Sequence, residues 1–218
     1  MYLGEYAMTP EREAILKSYS EWTAFSSLRS MAPIKSREAI YPLIWGIGFA
    51  DVLDTSKGKI NKDEFEKWHK QTLESLVSAT PKLKAQFGWS AKIVNVYLKT
   101  YCYVGEGGRE GIRALLHPPV DQGLWSGVAR RFKGDESVLK DSHVVEEIKN
   151  ISTHELYLKV IKGMRAASAK LACSLIEVEQ LWEGAGKHIR FPQARRPRRT
   201  AAKVQMFSGS FSDRTTSA

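Results

Sequence analysis

Two short stretches hold the residues of this chain that can do chemistry: "AKIVNVYLKT" at 91–100 and "HPPVDQGLW" at 117–125. Lys92 stands one helical turn after Gly88, close to the start of a helix and beside Phe87 and Trp89. A helix N-terminus and an apolar setting both favour the neutral form of an amine, and a neutral amine can attack a sugar carbon. Lys92, Asn95 and Lys99 follow at spacings of three and four, which puts them on one line of the helix. Asp121 comes after Pro118 and Pro119, whose rings fix the backbone and keep the residues before them extended. It also stands where the N-cap of a following helix, "QGLWSGVARRF", would be. The same residues admit a structural reading, in which the lysines form an exposed face and Asp121 is an ordinary cap.

The elements that must position this pair read as helices. Thr9 before "PERE" is a helix start, with a hydroxyl cap, proline at the first helical position and acids in the first turn. Ile15, Leu16, Tyr19, Trp22 and Phe25 follow at helical spacing and define the expected inward face of a helix running to about residue 30. "KSREAIYPLIWGIGFADVLDT" reads as a buried helix capped by Ser36 and interrupted by Pro42, Gly46 and Gly48. "NKDEFEKWHKQTLESLVSA" places Phe65, Trp68, Leu73, Leu76 and Val77 on one side, with Pro81 ending the helix. The helix carrying Lys92 is expected over 89–104, with Trp89, Ile93, Val96, Tyr97 and Thr100 turned inward. "GEGGREG" reads as a flexible connector and Ile112–Leu116 as a short helix. A long helix is expected over 153–183, with Lys159, Lys162, Arg165 and Lys170 on a solvated side. No alternating strand pair and no internal repeat is visible, so the fold class is all-α: one orthogonal domain of six to eight helices over 1–186.

Composition agrees with a packed domain. Of 218 residues, 43% are hydrophobic and 10% aromatic, six of them Trp, which is ample for a core. Residues 187–218 carry eight basic side chains against Asp213 alone, a net +7 of the formal +9, leaving +2 for residues 1–186. This basic segment, with "ARRPRRT" at its centre, is expected to be a disordered tail able to neutralise phosphates. Cys102 and Cys173 lack CxxC spacing, and the five histidines lack HxxxH or HxxE spacing, so neither a disulfide framework nor a metal site is signalled. "LDTSKGKINKDEF" has Gly58, Ile60 and Glu64 at EF-hand offsets. However, Leu53, Thr55 and Lys57 stand where the first calcium ligands belong, so calcium binding is not expected. Because "GEGGREG" follows a helix and no GKS or GKT comes after it, it is a poor phosphate loop. No cofactor, metal or membrane partner is expected, and the location is expected to be cytoplasmic, nucleoid-associated in a bacterium.

Over residues 83–125, "FGWSAKIVNVYLK" followed by "PPVDQGLW" resembles the core of the helix-hairpin-helix DNA glycosylases, the superfamily of the 8-oxoguanine and endonuclease III enzymes. In that family a glycine hairpin presents a lysine at the start of a helix, and a "VD" begins the next. The resemblance implies that Lys92 is a nucleophile forming a Schiff base with deoxyribose, and that Asp121 stabilises the charged sugar or activates the attacker. Ser90 stands where the family has a second hairpin glycine, and "GEGGREG" lengthens the interval from lysine to aspartate.

The function expected on these grounds is a base-excision enzyme of the glycosylase and lyase type, which flips a nucleotide from the stack to reach it. Gly88, Trp89, Asn95, Lys99, Trp125, Arg130 and Arg131, together with Arg195, Arg196, Arg198 and Arg199 in the tail, are the expected contacts to nucleic acid, DNA in the first instance. The alternatives are a non-catalytic DNA- or RNA-binding protein and a helical scaffold for a protein partner.

Overall fold

The computed structural model describes residues 8–28 and 31–183, and every regular element among them is helical. The α-helices are α1 (Pro10–Ser26), α2 (Arg37–Trp45), α3 (Ala50–Leu53), α4 (Lys62–Ala79), α5 (Phe87–Leu98), α6 (Gln122–Arg131), α7 (Glu136–Ser142) and α8 (His154–Leu171). The π-helical turn Lys99–Val104 prolongs α5, and the 3-10 segment Ile176–Leu181 follows α8. The all-α expectation holds for the described residues. The basic tail lies outside them. No helix among them is long and apolar enough to cross a membrane.

Side-chain caps start most of these helices where the sequence places them. Thr9 Oγ1 accepts from the Arg12 amide at 3.2 Å and Asn61 Oδ1 from the Glu64 amide at 2.9 Å. Asp121 Oδ1 accepts from the Leu124 amide at 3.1 Å and Thr153 Oγ1 from the Leu156 amide at 3.2 Å. Such caps are each worth about 1 kcal/mol. Ser36 precedes α2 but makes no side-chain cap bond.

The middle of the fold is α5, buried from Gly88 through Leu98 without interruption. It packs against α1, α4 and α8, while α7 lies on α8 and α6 meets the 3-10 segment Ile176–Leu181. The expected inward face of α1 is only partly right, since Leu16 and Phe25 pack against the core but the rest of the face does not. Ile15, Tyr19 and Trp22 are 71%, 52% and 52% exposed, and the buried positions are Ser20 and Ala24. Small residues at Ser20 and Ala24 let α1 approach α5 and its π-helical extension, where Thr23 Oγ1 lies 2.9 Å from Thr100 Oγ1.

Two further expectations change. "GEGGREG" is a built loop, because Arg109 at its centre is only 5% exposed. The Arg109 guanidinium donates to the carbonyls of Asp51, Lys57, Gly58 and Lys59 and forks onto the carboxylate of Glu64. The EF-hand-like segment thus folds around an arginine, with the Lys59 carbonyl and Glu64 at the offsets where calcium ligands would stand. Gly108 and Gly111, at φ +89 and +85, supply the left-handed turns that aim Arg109 inward. The last helix also ends early. Ala172 turns left-handed at φ 51, Ser168 Oγ donates to the Cys173 carbonyl at 2.6 Å, and the Ser174 amide donates to Glu177 at 2.7 Å. The chain therefore folds back and brings Ile176–Leu181 against α6.

Replacing Arg109 by Lys removes the fork that serves these acceptors at once, and leaves buried carbonyls unpaired at a cost on the order of 3 kcal/mol. A fall in melting temperature of roughly 6–12 °C is expected from that loss in a domain of this size. An Arg109→Lys variant that melts with the parent would show that the loop does not depend on the guanidinium.

Candidate functional site

The site grows from the burial of α5, which leaves its polar residues no water, and apart from Ser90, whose buried hydroxyl is unpartnered among the described residues, they find partners within the protein. At the helix start, Gly88 lets the segment 148–151 close in, since a Cβ there would collide with Ile148, and its amide donates to the Ile151 carbonyl at 3.0 Å. That amide is thereby committed within the protein. One turn on, Lys92 is 8% exposed at its side chain, with its Nζ 5.8 Å from the centre of the Trp89 ring and donating to Asp121 Oδ2 at 3.1 Å. Residues 29 positions apart in sequence thus meet directly.

Asp121 is held from three sides. The Asn95 amide donates to the Pro118 carbonyl at 3.3 Å and ties the extended "HPPVD" strap to α5. The carboxylate caps α6 through Leu124, as described above, and Trp182 Nε1 donates to the same Oδ1 at 3.0 Å. A second pair adjoins the first: Lys99 Nζ donates to Glu179 at 2.7 Å. Burial raises the Glu179 carboxyl above the usual range, the nearby Asp121 charge adds to this, and Lys99 and Lys92 oppose it. Two lysines and two carboxylates therefore form one partly buried cluster, with Trp89 below and Trp182 at the rim. The cluster can hold an amine beside a proton acceptor and surround a developing positive charge with carboxylates.

Lys92, Asp121, Trp89 and Lys99 come together as the sequence suggests. Asn95 and Trp125 do not join them as nucleic-acid contacts: Asn95 is 2% exposed with its amide occupied, and Trp125, also 2% exposed, donates to the Ser142 carbonyl at 2.6 Å. Both are core residues. The polar line Lys92, Asn95, Lys99 is likewise an inner line rather than a solvated face. Arg130 is at the surface in an ion pair with Glu183, and Arg131 is exposed beside the Phe132 ring. Arg195, Arg196, Arg198 and Arg199 lie outside the described residues. Glu179 and Trp182 were missed because a helix unbroken to 183 would carry them away from α5. The only local hint of the reversal is "SAKLACS", where helical periodicity weakens.

Behind Asn95 lies a buried polar chain that single-residue inspection of the histidines did not reveal. His69 Nε2 is 2.9 Å from Asn95 Oδ1, and Asn95 Nδ2 donates to Tyr157 Oη at 3.1 Å. That hydroxyl is 2.8 Å from His117 Nδ1, and Arg165 pairs with Glu66 at the outer end. Burial pushes His69 down to about 3 and lowers His117 as well. Among the described residues, no group of three or more His, Cys, Asp or Glu side chains could hold a metal ion. The chain matches no protein-family model, no curated protein and no solved structure.

Because His69 and His117 are depressed in the fold, the unfolded chain takes up their protons first. Their contribution is complete above the unfolded value of about 6.5 and is lost as pH falls below it, by about 1.4 kcal/mol per pH unit for each histidine kept neutral. Urea unfolding at pH 7 and pH 5 is expected to show this loss, and His69→Gln to reduce the slope by one proton. A flat profile for the parent would contradict neutral burial.

Proposed function

We propose that this protein is a nucleic-acid-acting enzyme of the base-excision type, with Lys92 as nucleophile and Asp121 as its essential carboxylate. The observation that carries the reading is the 3.1 Å contact between the Lys92 amine and Asp121 Oδ2, in a cluster that also holds Trp89 and Glu179. Asp121 accepts the proton from Lys92, the amine lone pair attacks the anomeric carbon of the sugar, and the base departs with the bonding electrons. Opening of the sugar ring then gives the imine. As the glycosidic bond breaks, the proton held by Asp121 passes to the departing base and the carboxylates of Asp121 and Glu179 then face the cationic sugar. Resemblance to the helix-hairpin-helix glycosylases supports the same assignment. One departure from that family bears on binding, since the Gly88 amide is used by Ile151 and does not serve a phosphate. Contacts to the backbone of DNA fall in this reading to Arg131 and the arginines of the tail.

A second reading has a specific observation behind it. Both oxygens of Asp121 are occupied, by Leu124 and Trp182 on one and Lys92 on the other. In this reading the pair is a clasp that fastens the segment after α8 to α5 and α6.

Borohydride reduction in the presence of duplex DNA bearing an abasic site or 8-oxoguanine separates the two. The enzyme reading predicts a covalent adduct with the parent chain and none with Lys92→Met, which keeps the stem and loses the amine. It also predicts turnover lowered about 10²–10³-fold in Asp121→Asn, with DNA affinity retained in both. Loss of folding in both variants supports the clasp. Absence of any adduct or excision with the parent chain defeats the enzyme reading.

A further inference from the structure

A second cavity, of about 750 Å³, opens on another side of α5 from the Lys92 cluster. Tyr97, on its wall, is about 140° around the helix from Lys92 at 100° per residue. Phe49 and Tyr97 stack with ring centres 3.8 Å apart, and Tyr101 lies parallel to Tyr97 at 6.1 Å, so one wall is a ladder of three aromatic rings. Gly107, also on the lining, lies against the ladder, because any Cβ there would strike the Tyr101 ring. Trp45, 63% exposed, stands at the mouth.

The charge of this cavity runs against that of the chain. Glu13, Glu21, Asp54 and Glu106 line it against Lys17 alone, in a protein of formal charge +9. Glu21 has no ion-pair partner among the described residues. The carboxylates also act on the phenols: burial and then Glu13 push Tyr101 up to about 12, while burial and Glu21 raise Tyr97. Tyr97 is 2% exposed, yet its hydroxyl makes no hydrogen bond among the described residues and belongs to the cavity wall. That hydroxyl is open to the cavity and so within reach of a ligand there.

These features select a ligand. Glu13 and Glu21 are eight residues apart on α1, about 12 Å along the helix, too far to share one metal ion at ligand distances of ~2.5 Å. An aromatic wall between carboxylates suits methylene segments between cationic centres. The open Tyr97 hydroxyl can accept from N–H groups, which a quaternary ammonium lacks. We propose that this cavity binds a small aliphatic oligoamine, whose protonated nitrogens pair with the carboxylates and donate to the Tyr97 hydroxyl while its methylenes lie on the ring ladder. With Glu106 paired to Arg113, Glu13, Glu21 and Asp54 against Lys17 fit a ligand of two to three positive charges. This site does not depend on the chemistry of Lys92.

Calorimetric titration of the full chain with spermidine, at an ionic strength that screens loose surface pairs, tests the proposal. A saturable one-to-one isotherm is expected, weakened at least about tenfold, or 1.4 kcal/mol, by Glu21→Gln and several-fold by Tyr97→Phe. Glu155→Gln, on α8 and outside the cavity, should leave it unchanged. Putrescine, with fewer charges, should bind more weakly, and tetramethylammonium should not compete. Equal heats from magnesium chloride at matched ionic strength, or full affinity in Glu21→Gln, overturn the assignment. Should Tyr97→Phe fail to fold by circular dichroism, Glu21→Gln at the half-buried rim decides alone.

Discussion

The burial of α5 on every side is the constraint from which the rest of the structure follows. A helix with water on one side can leave its lysines and amides hydrated, but this one cannot. Lys92 must meet Asp121, Asn95 must meet His69, Tyr157 and Pro118, Lys99 must meet Glu179, and Thr100 must meet Thr23. The partners come from five segments, so the polar residues of α5 and its extension act as addresses that fix where α1, α4, α8, the proline strap and the segment after α8 may sit. The geometry of the cluster is thus a consequence of how the core is closed.

Energetics argue against regarding the Lys92–Asp121 pair as a device for stability alone. Taking a lysine and an aspartate out of water costs several kcal/mol, which their attraction repays only in part, and apolar replacements of similar volume are often neutral or better. A second such pair, Lys99 with Glu179, sits next to it, and burial holds Glu179 above the usual carboxylate range. Two costly pairs thus stand side by side at one partly open place. The strap positions the first of them. Its prolines limit the backbone, Asn95 pins it, and the cap bond to Leu124 aims the Asp121 carboxylate back toward α5.

Much of this was readable from the sequence, where local rules govern. Thr9, Asn61, Asp121 and Thr153 begin helices because a short polar side chain before an apolar run has one good use. The extended "HPPVD" follows from proline sterics. Tertiary packing overrode the periodicity of α1: Ile15, Tyr19 and Trp22 make the more apolar line, but close approach to α5 selected Ser20 and Ala24. "GEGGREG" has the composition of a linker, and nothing local reveals that Arg109 finds four carbonyls and Glu64 some fifty residues earlier. The end of α8 was hidden because Ala172 takes a left-handed conformation that usually belongs to glycine or asparagine. That one turn concealed Glu179 and Trp182, and with them a third of the cluster. The histidines looked isolated because their spacing was tested for metal ligation, whereas His69 and His117 meet through Tyr157 and Asn95.

The central claim is that the amine held by Asp121 is the reacting group, and the most direct measurement is to locate the bond it makes. Proteolysis and mass spectrometry of the reduced adduct between this chain and an abasic duplex should place the sugar remnant on Lys92. A remnant on the N-terminal amine or on Lys187 or Lys203, with Lys92 unmodified, would contradict the account.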